Sequence, residues 1–360
     1  MLTATDTETP NNKNPINGNI KERFTFPSNM RLGFSIFITK VPKYIPNKNE
    51  YKMKKVKKCE DILLPNPNGC REMIERVQAG DKVIDRYHDI YFSENFNDEK
   101  WYDNYSQCMM WDHGHIEWGN NLYVNQEDQY YSRQDRLQDS RPFKTKKYDG
   151  YNTGIIEANI VPDELLPYTV ARTNDHLQQQ RIHSGIFTTR YDAKNYVNVK
   201  QGRISVTAKI TNNTSDFGAI WLLAAQKFNE WETEFLDEID IMEFHGHNSS
   251  AIHTTCHYNS DTFTTVGTDH TVEDLSLDFH RFGIDWNNSQ ICWMLDDEYI
   301  FTIDTPQRLQ GSAIMTLIIN LAIGGGWSRW QIEHDKQFGI DNGPAVYPSQ
   351  FEIKNITCSS

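Results

Sequence analysis

The chain has 360 residues, enough for a large core, and a formal net charge of −13. That charge argues against a phosphate-backbone partner, and the one basic run, KMKKVKK at residues 52–58, is short and followed by Glu60 and Asp61, as in a solvated or linker segment. Abundant Tyr, Phe and Trp beside many Asn and Gly favour a sheet-rich protein with many turns over a helical bundle.

The first residues, MLTATDTETPNNKNP, have neither the charged nor the apolar region of a secretory signal. No apolar run approaches the roughly 18 residues of a membrane span, so no membrane partner is expected. Residues 1–30 are rich in Asn, Pro, Thr and Lys and read as disordered; residues 31–80 hold one short apolar run (GFSIFITKV), the basic run and a turn-rich LPNPNG. Residues 1–80 are therefore expected to be a partly disordered extension of unknown function, and residues 81–360 one domain. The six cysteines, Cys59, Cys70, Cys108, Cys256, Cys292 and Cys358, follow no CxxC pattern. Free thiols are the default for such a chain, with a local Cys59–Cys70 bridge as the alternative.

From about residue 83 short aromatic and β-branched runs recur between polar turns: DIYFSENF, GIIEANI, GRISVTAKI, GAIWLLAA, AIHTTCHY, HRFGIDW, QICWMLD, YIFTID and MTLIINLAI. Regularly spaced short strands suggest an all-β sandwich. Two polar stretches, residues 132–153 and 161–184, read as loops, and no internal repeat is visible.

Within this pattern Glu238-Ile239-Asp240-Ile241-Met242-Glu243-Phe244 breaks strict alternation. A regular strand would put Glu238, Asp240 and Met242 on one face and turn Glu243 to the core. One extra residue, a β-bulge, flips the phase: Met242 turns inward and Glu243 rejoins Glu238 and Asp240. Four effective steps of about 3.3 Å separate the outer backbones by about 13 Å, and the side chains can bring the carboxyl groups to roughly 5–5.5 Å, the separation used by retaining glycosidases. Asp240 between them would raise a neighbour's proton affinity, so that one Glu holds a proton near neutral pH while the other is ionised. A calcium site or a structural acid cluster is the alternative use of these acids.

The surrounding segments resemble those of the glycoside hydrolase family 16 laminarinases, the endo-β-1,3-glucanases. DEIDIMEFHGH matches the family's E-[IL]-D-[apolar]-[apolar]-E hallmark with its bulge. AIHTTCHY is similar to the family strand ending in T-x-H-Y, HRFGIDWNNSQICWMLDDEYI to its FH…W…W-x-[LV]-D segment, and LIINLAIGGGW to LxLNLAVGGNW. GAIWLLA, GRISVTAKI and YFSENFNDEKW find counterparts upstream, so the resemblance runs from about residue 88 to the end. It implies a concanavalin-like β-jelly-roll sandwich with an open cleft on the concave sheet, residues 81–360 as the catalytic domain, and a laminarinase rather than a lichenase, whose motif lacks the bulge. Similar glucanases encoded by large algal viruses are made inside the host.

By resemblance and geometry together, Glu238 is the expected nucleophile, Glu243 the general acid/base, and Asp240 the residue that orients Glu238 and tunes both. The resemblance adds Trp221, His257, Asn320 and Trp327 as substrate-binding residues, with Gly324, Gly325 and Gly326 letting a loop turn beside the sugar. That glycine run is not expected to cradle phosphate, since neither a Lys nor a strand–Gly–helix context follows. Trp286 and Trp293 read as core. A zinc site from His245, His247, His253 and His257 fits no ligand motif, so no metal is assigned. Three departures from the family stand out: Phe217 replaces a cleft tryptophan, Ile186 replaces an arginine for which Arg190 is the available substitute, and Lys354 stands where many members place a calcium-ligating Asp. An ammonium cannot ligate calcium, so no cofactor is expected and a structural calcium is doubted. The expected partner is a β-glucan polysaccharide, with no nucleic acid or membrane, acted on by a monomer; the sequence leaves localisation open, with synthesis inside the cell and release to the substrate as one route. The alternatives are hydrolysis or transglycosylation of another β-glycan (a mixed-linkage 1,3-1,4 glucan or a galactan) and a non-catalytic glucan-binding protein.

Overall fold

A computed structural model describes residues 90–107, 125–132, 134, 141–173, 176–189, 197–224, 237–260, 262–340 and 343–360. The expectations for residues 1–80, the basic run, Arg190, Cys59, Cys70 and Cys108 lie outside these residues. In chain order the strands are β1 (Ile90–Glu94), β2 (Ser106–Gln107), β3 (Gln129–Tyr131), β4 (Phe143–Tyr148), β5 (Tyr151–Ile160), β6 (Val170–Thr173), β7 (His176–Gln179), β8 (Ile182–Ser184), β9 (Ile186–Thr188) and β10 (Gly202–Lys209). They continue with β11 (Asp216–Ala224), β12 (Glu238–His245), β13 (Ala251–Asn259), β14 (Phe263–Thr271), β15 (His280–Trp286), β16 (Gln290–Leu295), β17 (Glu298–Asp304), β18 (Met315–Ile323) and β19 (Ser349–Ser359). One α-helix lies among the described residues, α1 (Gly326–Lys336).

Two sheets make a β-jelly-roll sandwich, the expected all-β class. One has the order β17-β16-β15-β10-β19-β5-β8-β3, with β1 beside β19 and β4 beside β5; the other runs β14-β13-β12-β11-β18-β9-β2. Alternation along the central strands decides what lies between them. Ile220 and Leu222 of β11, and Leu317, Ile319 and Leu321 of β18, join the main core, which also holds Trp286 and Trp293 as expected. The intervening residues, Phe217, Ala219 and Trp221 of β11 and Ile318 and Ala322 of β18, form a second apolar cluster with Tyr131 and Ile186, with Trp327 packed against it. The seven-stranded sheet is thus buried on both faces at its centre, and its second face carries the candidate site. Cys256, Cys292 and Cys358 are buried free thiols.

Two expectations need correction. The polar stretches 132–153 and 161–184 are not plain loops: they hold β4, the start of β5, β6, β7, β8 and a 3-10 turn at Asp163–Tyr168. β4 reads FKTKKY, and its lysines hid it. Phe143 is buried, while Lys144 and Lys146 pair with the buried acids Glu157 and Glu352 at 2.5 and 2.7 Å, and Lys147 pairs with Glu99 at 2.5 Å. Lysines suit a strand at a sheet margin because they discourage pairing with another chain. The second correction concerns the glycine run. Gly324 and Gly325 have φ of 68° and 93°, and α1 begins at Gly326, so a strand–Gly–helix context does follow β18. A Cβ on Gly324 would displace the Asp128 carboxylate, and the positive φ of this position disfavours any side chain.

Candidate active site

The site is built on β12. Against β11, Ile220 pairs with Met242 and Trp221 with Asp240, which leaves Ile241 without a partner. Against β13, Glu238 faces His257, Asp240 faces Thr255 and Glu243 faces His253, so three steps of β12 span two of β13. The bulge is present, although the unpaired residue is Ile241 where Met242 was expected. Ile239, Ile241, Met242 and Phe244 all lie in the main core. Phase is therefore reset between Asp240 and Glu243, and the three acids share the face that carries Trp221 and its neighbours. The indole N–H of Trp293 donates to the Asp240 carbonyl at 2.8 Å from within the core, which anchors the strand beside the bulge.

Asp240 is buried, whereas Glu238 keeps a quarter of its side chain exposed. His257 Nε2 lies 3.3 Å from Asp240 Oδ2 and 4.0 Å from Glu238 Oε1. Its Nδ1 lies 2.9 Å from the Thr265 hydroxyl on β14, and Phe263 stacks on the ring at 5.8 Å. Burial opposes the charged imidazole, but the Asp240 hydrogen bond and the charges of Asp240 and Glu238 together outweigh it, and the His257 pKa is raised. Burial and the Asp240 charge push Glu238 upward, and His257 opposes them. Glu243 is also pushed up, well above the usual carboxylate range, by burial and then by Asp240, Glu238 and Asp269. The asymmetry has one origin: His257 stands at the Glu238 end. Burial and neighbouring charge thus favour the protonated form of Glu243, and His257 favours the ionised form of Glu238.

The other expected binding residues divide. The Trp221 indole N–H donates to Asn320 Oδ1 at 2.8 Å, and the Asn320 amide donates to the Tyr131 hydroxyl at 3.0 Å. Asn320 is buried and occupied on both sides, so it braces Trp221. Trp327 stands beyond Glu243, with ring centroids 4.6 Å from His245, 4.8 Å from His253 and 5.5 Å from Phe217. Phe217 in turn stacks on His245 at 4.9 Å. His253 and Asp269, bound Nδ1 to Oδ1 at 2.6 Å, flank the Glu243 end, and strand alternation puts His253 on the face of His257.

The four histidines fall into two groups, with the His245 ring 5.2 Å from His253 and 5.8 Å from His247, and His257 apart from them. His257 lies with Glu238 and Asp240, whose ligand atoms fall within 4.8 Å of one another, while His247 is bound to Asp335 at 3.0 Å and His253 to Asp269. At the position weighed for calcium, the Lys354 ammonium sits 3.9 Å from the Tyr151 ring centroid.

Residues 168–341 match the model for glycosyl hydrolases family 16. The chain is 29% identical over 276 residues to a beta-glucanase of Rhodothermus marinus, covering 72% of this chain and 82% of that one. It is 28% identical over 143 residues to a glucan endo-1,3-beta-glucosidase of Cryptopygus antarcticus, covering 35% of this chain and 52% of that one. The laminarinase catalytic domain from Thermotoga maritima MSB8 superposes with a TM-score of 0.53 at 21% identity, over 75% of this chain and 97% of that one.

Proposed function

We propose that this chain, which carries a glycosyl hydrolases family 16 domain and is a glycoside hydrolase, is a retaining endo-glucanase that cleaves β-1,3-glucan of the laminarin type. The observation that carries the reading is the bulge in β12, which sets Glu238 and Glu243 on one face either side of Asp240. Glu238 attacks the anomeric carbon as Glu243 gives its proton to the departing glycosidic oxygen. A glycosyl ester on Glu238 results. Glu243, now ionised, takes a proton from a water, whose oxygen attacks the same carbon and releases Glu238. Two inversions leave the anomeric configuration unchanged.

The surroundings fit these roles. Glu238 must be ionised to attack; burial and Asp240 raise its pKa to about 8, and the His257 charge is what opposes them. Glu243 must be protonated first, and its acidic neighbours favour that. Trp221, held by Asn320, offers an aromatic surface for a sugar beside the acids, and Trp327 offers a second beyond Glu243. The β-1,3 preference is supported by the bulged motif and by the names of similar proteins. Reducing-sugar release from laminarin, lichenan, agarose and xyloglucan, with proton NMR of the first product, tests the proposal. Release from laminarin with the β-anomer appearing first is expected. An α-anomer first would refute double displacement, and a clear preference for another polymer would refute the substrate.

A further inference from the structure

Helix α1 follows the cleft-lining strand β18 after two glycines, and its second residue, Trp327, belongs to the aromatic group beside Glu243. Trp327, Trp330, His334 and Phe338 recur at i, i+3, i+7 and i+11, so they fall on one stripe of a helix. Phe338 lies just past the last helical residue, but its N–H donates to the Asp335 carbonyl at 2.9 Å and keeps the turn going. Past Trp327 the rings touch in sequence. Trp330 stacks on His334 at 5.1 Å and 19°, and His334 meets Phe338 at 5.1 Å. Trp330 is 44% exposed and Phe338 58%. Trp327, by contrast, packs into the cleft cluster.

The stripe is fixed to the domain as well as continuous. His334 Nδ1 lies 3.0 Å from Asp335 Oδ1, and the other Asp335 oxygen binds His247 just after β12 at 3.0 Å. Charges on the helix flanks are matched: Arg329 pairs with Asp128 at 2.7 Å, and Lys336 with Glu333 at 3.2 Å. A line of exposed rings between compensated charges suits a neutral, ring-faced ligand better than an ionic partner.

We propose that Trp330, His334 and Phe338 extend the sugar-binding surface past the cleft, and that they take a stretch of neutral β-glucan chain leaving the cleft at Trp327. This rests on the glucanase reading above and adds a preference for long chains over short ones. The stripe past Trp327 supplies binding to the long polymer alone, so removing it raises KM for long substrates and spares kcat.

The test compares the full-length wild type with Trp330→Ala/Phe338→Ala on a long β-1,3-glucan and on a β-1,3-linked oligosaccharide of five sugars. The double variant is expected to raise KM for the polymer at least fivefold, with kcat within twofold and oligosaccharide kinetics within twofold. Trp330→Tyr, which keeps a ring, is expected to restore most of the polymer KM. A wild type that hydrolyses neither substrate overturns the glucanase reading itself. A wild type that hydrolyses both, beside a double variant whose polymer KM is unchanged, overturns only the stripe. Equal losses on polymer and oligosaccharide also overturn it, as does a double variant that changes only oligomeric state in light scattering, since that assigns the rings to a protein contact. If the double variant does not fold, Trp330→Gln and Phe338→Gln singly carry the same comparison.

Discussion

Glu238 and Glu243 are the same side chain on the same face, and what separates their roles is the company each keeps. His257 lies 4.0 Å from Glu238 and 3.3 Å from Asp240, whereas Glu243 has acids on both sides. Glu243→Gln keeps the shape but has no proton to give, so hydrolysis is expected to fall by about 10²–10⁴-fold. Glu238→Gln removes the atom that forms the ester and is expected to cost more. Steady-state kinetics with a circular dichroism check on folding measures both, and near wild-type turnover in either variant would contradict the assignment. His257→Gln tests the electrostatics. Its cation lowers the Glu238 pKa, so its removal raises that pKa. Glu238 acts in its ionised form, and the acidic limb of the kcat/KM profile reports the free-enzyme group that must lose a proton. That limb is therefore expected to move to higher pH, with a loss of roughly tenfold on the acidic side, about 1.4 kcal/mol. A limb that stays in place or moves to lower pH would sink the idea.

Among the elements, β12 determines whether the site exists, and its bulge depends on what lies behind it. Ile241 and Met242 are successive residues, yet both are in the main core, which a regular strand cannot arrange. Met242→Leu keeps volume and phase and is expected to cost less than about 1.5 kcal/mol. Met242→Glu puts an unpaired charge into that core and is expected to cost several kcal/mol. Thermal unfolding distinguishes the two, and a Glu variant as stable as wild type would mean that Met242 faces water. This element was legible in the sequence because a third acid out of phase needs a physical reason, and a bulge supplies one. Other elements were not. β4 hid behind its lysines, whose partners Glu157 and Glu352 are distant in sequence. α1 reads GWSRWQIEHDK, opens on glycine without a capping side chain, and buries only Ser328 and Asp335, so no buried apolar face announced it. Asn320 was recognised as a site residue, but its bracing of Trp221 depends on an indole N–H across two strands.

At the scale of the whole molecule, the sandwich buries acids that the chemistry does not use, and one of them ties stability to pH. Asp216 opens β11, is fully buried, and accepts a hydrogen bond from the Asn213 amide at 2.7 Å. Burial pushes its pKa up to about 7, against the lowering effect of Ser349, Asn213 and Thr211. In the unfolded chain the same group titrates near ~3.9. Between those two values the folded state holds a proton that the unfolded state has lost, so Asp216's contribution to stability is fully present below the unfolded value and disappears as pH rises through about 7. Asp216→Asn keeps an acceptor for Asn213 and cannot ionise. Its stability relative to wild type is therefore expected to improve from pH 5 to pH 8 by about 2–4 kcal/mol, an order-of-magnitude figure from about 1.4 kcal/mol per pH unit. Chemical denaturation of both proteins at the two pH values isolates this residue, because every other titrating group cancels in the difference. A difference that stays flat across the window would mean that Asp216 is ionised in the folded protein at pH 5. The buried carboxylate would then be stabilised by Ser349, Asn213 and Thr211 more strongly than burial disfavours it.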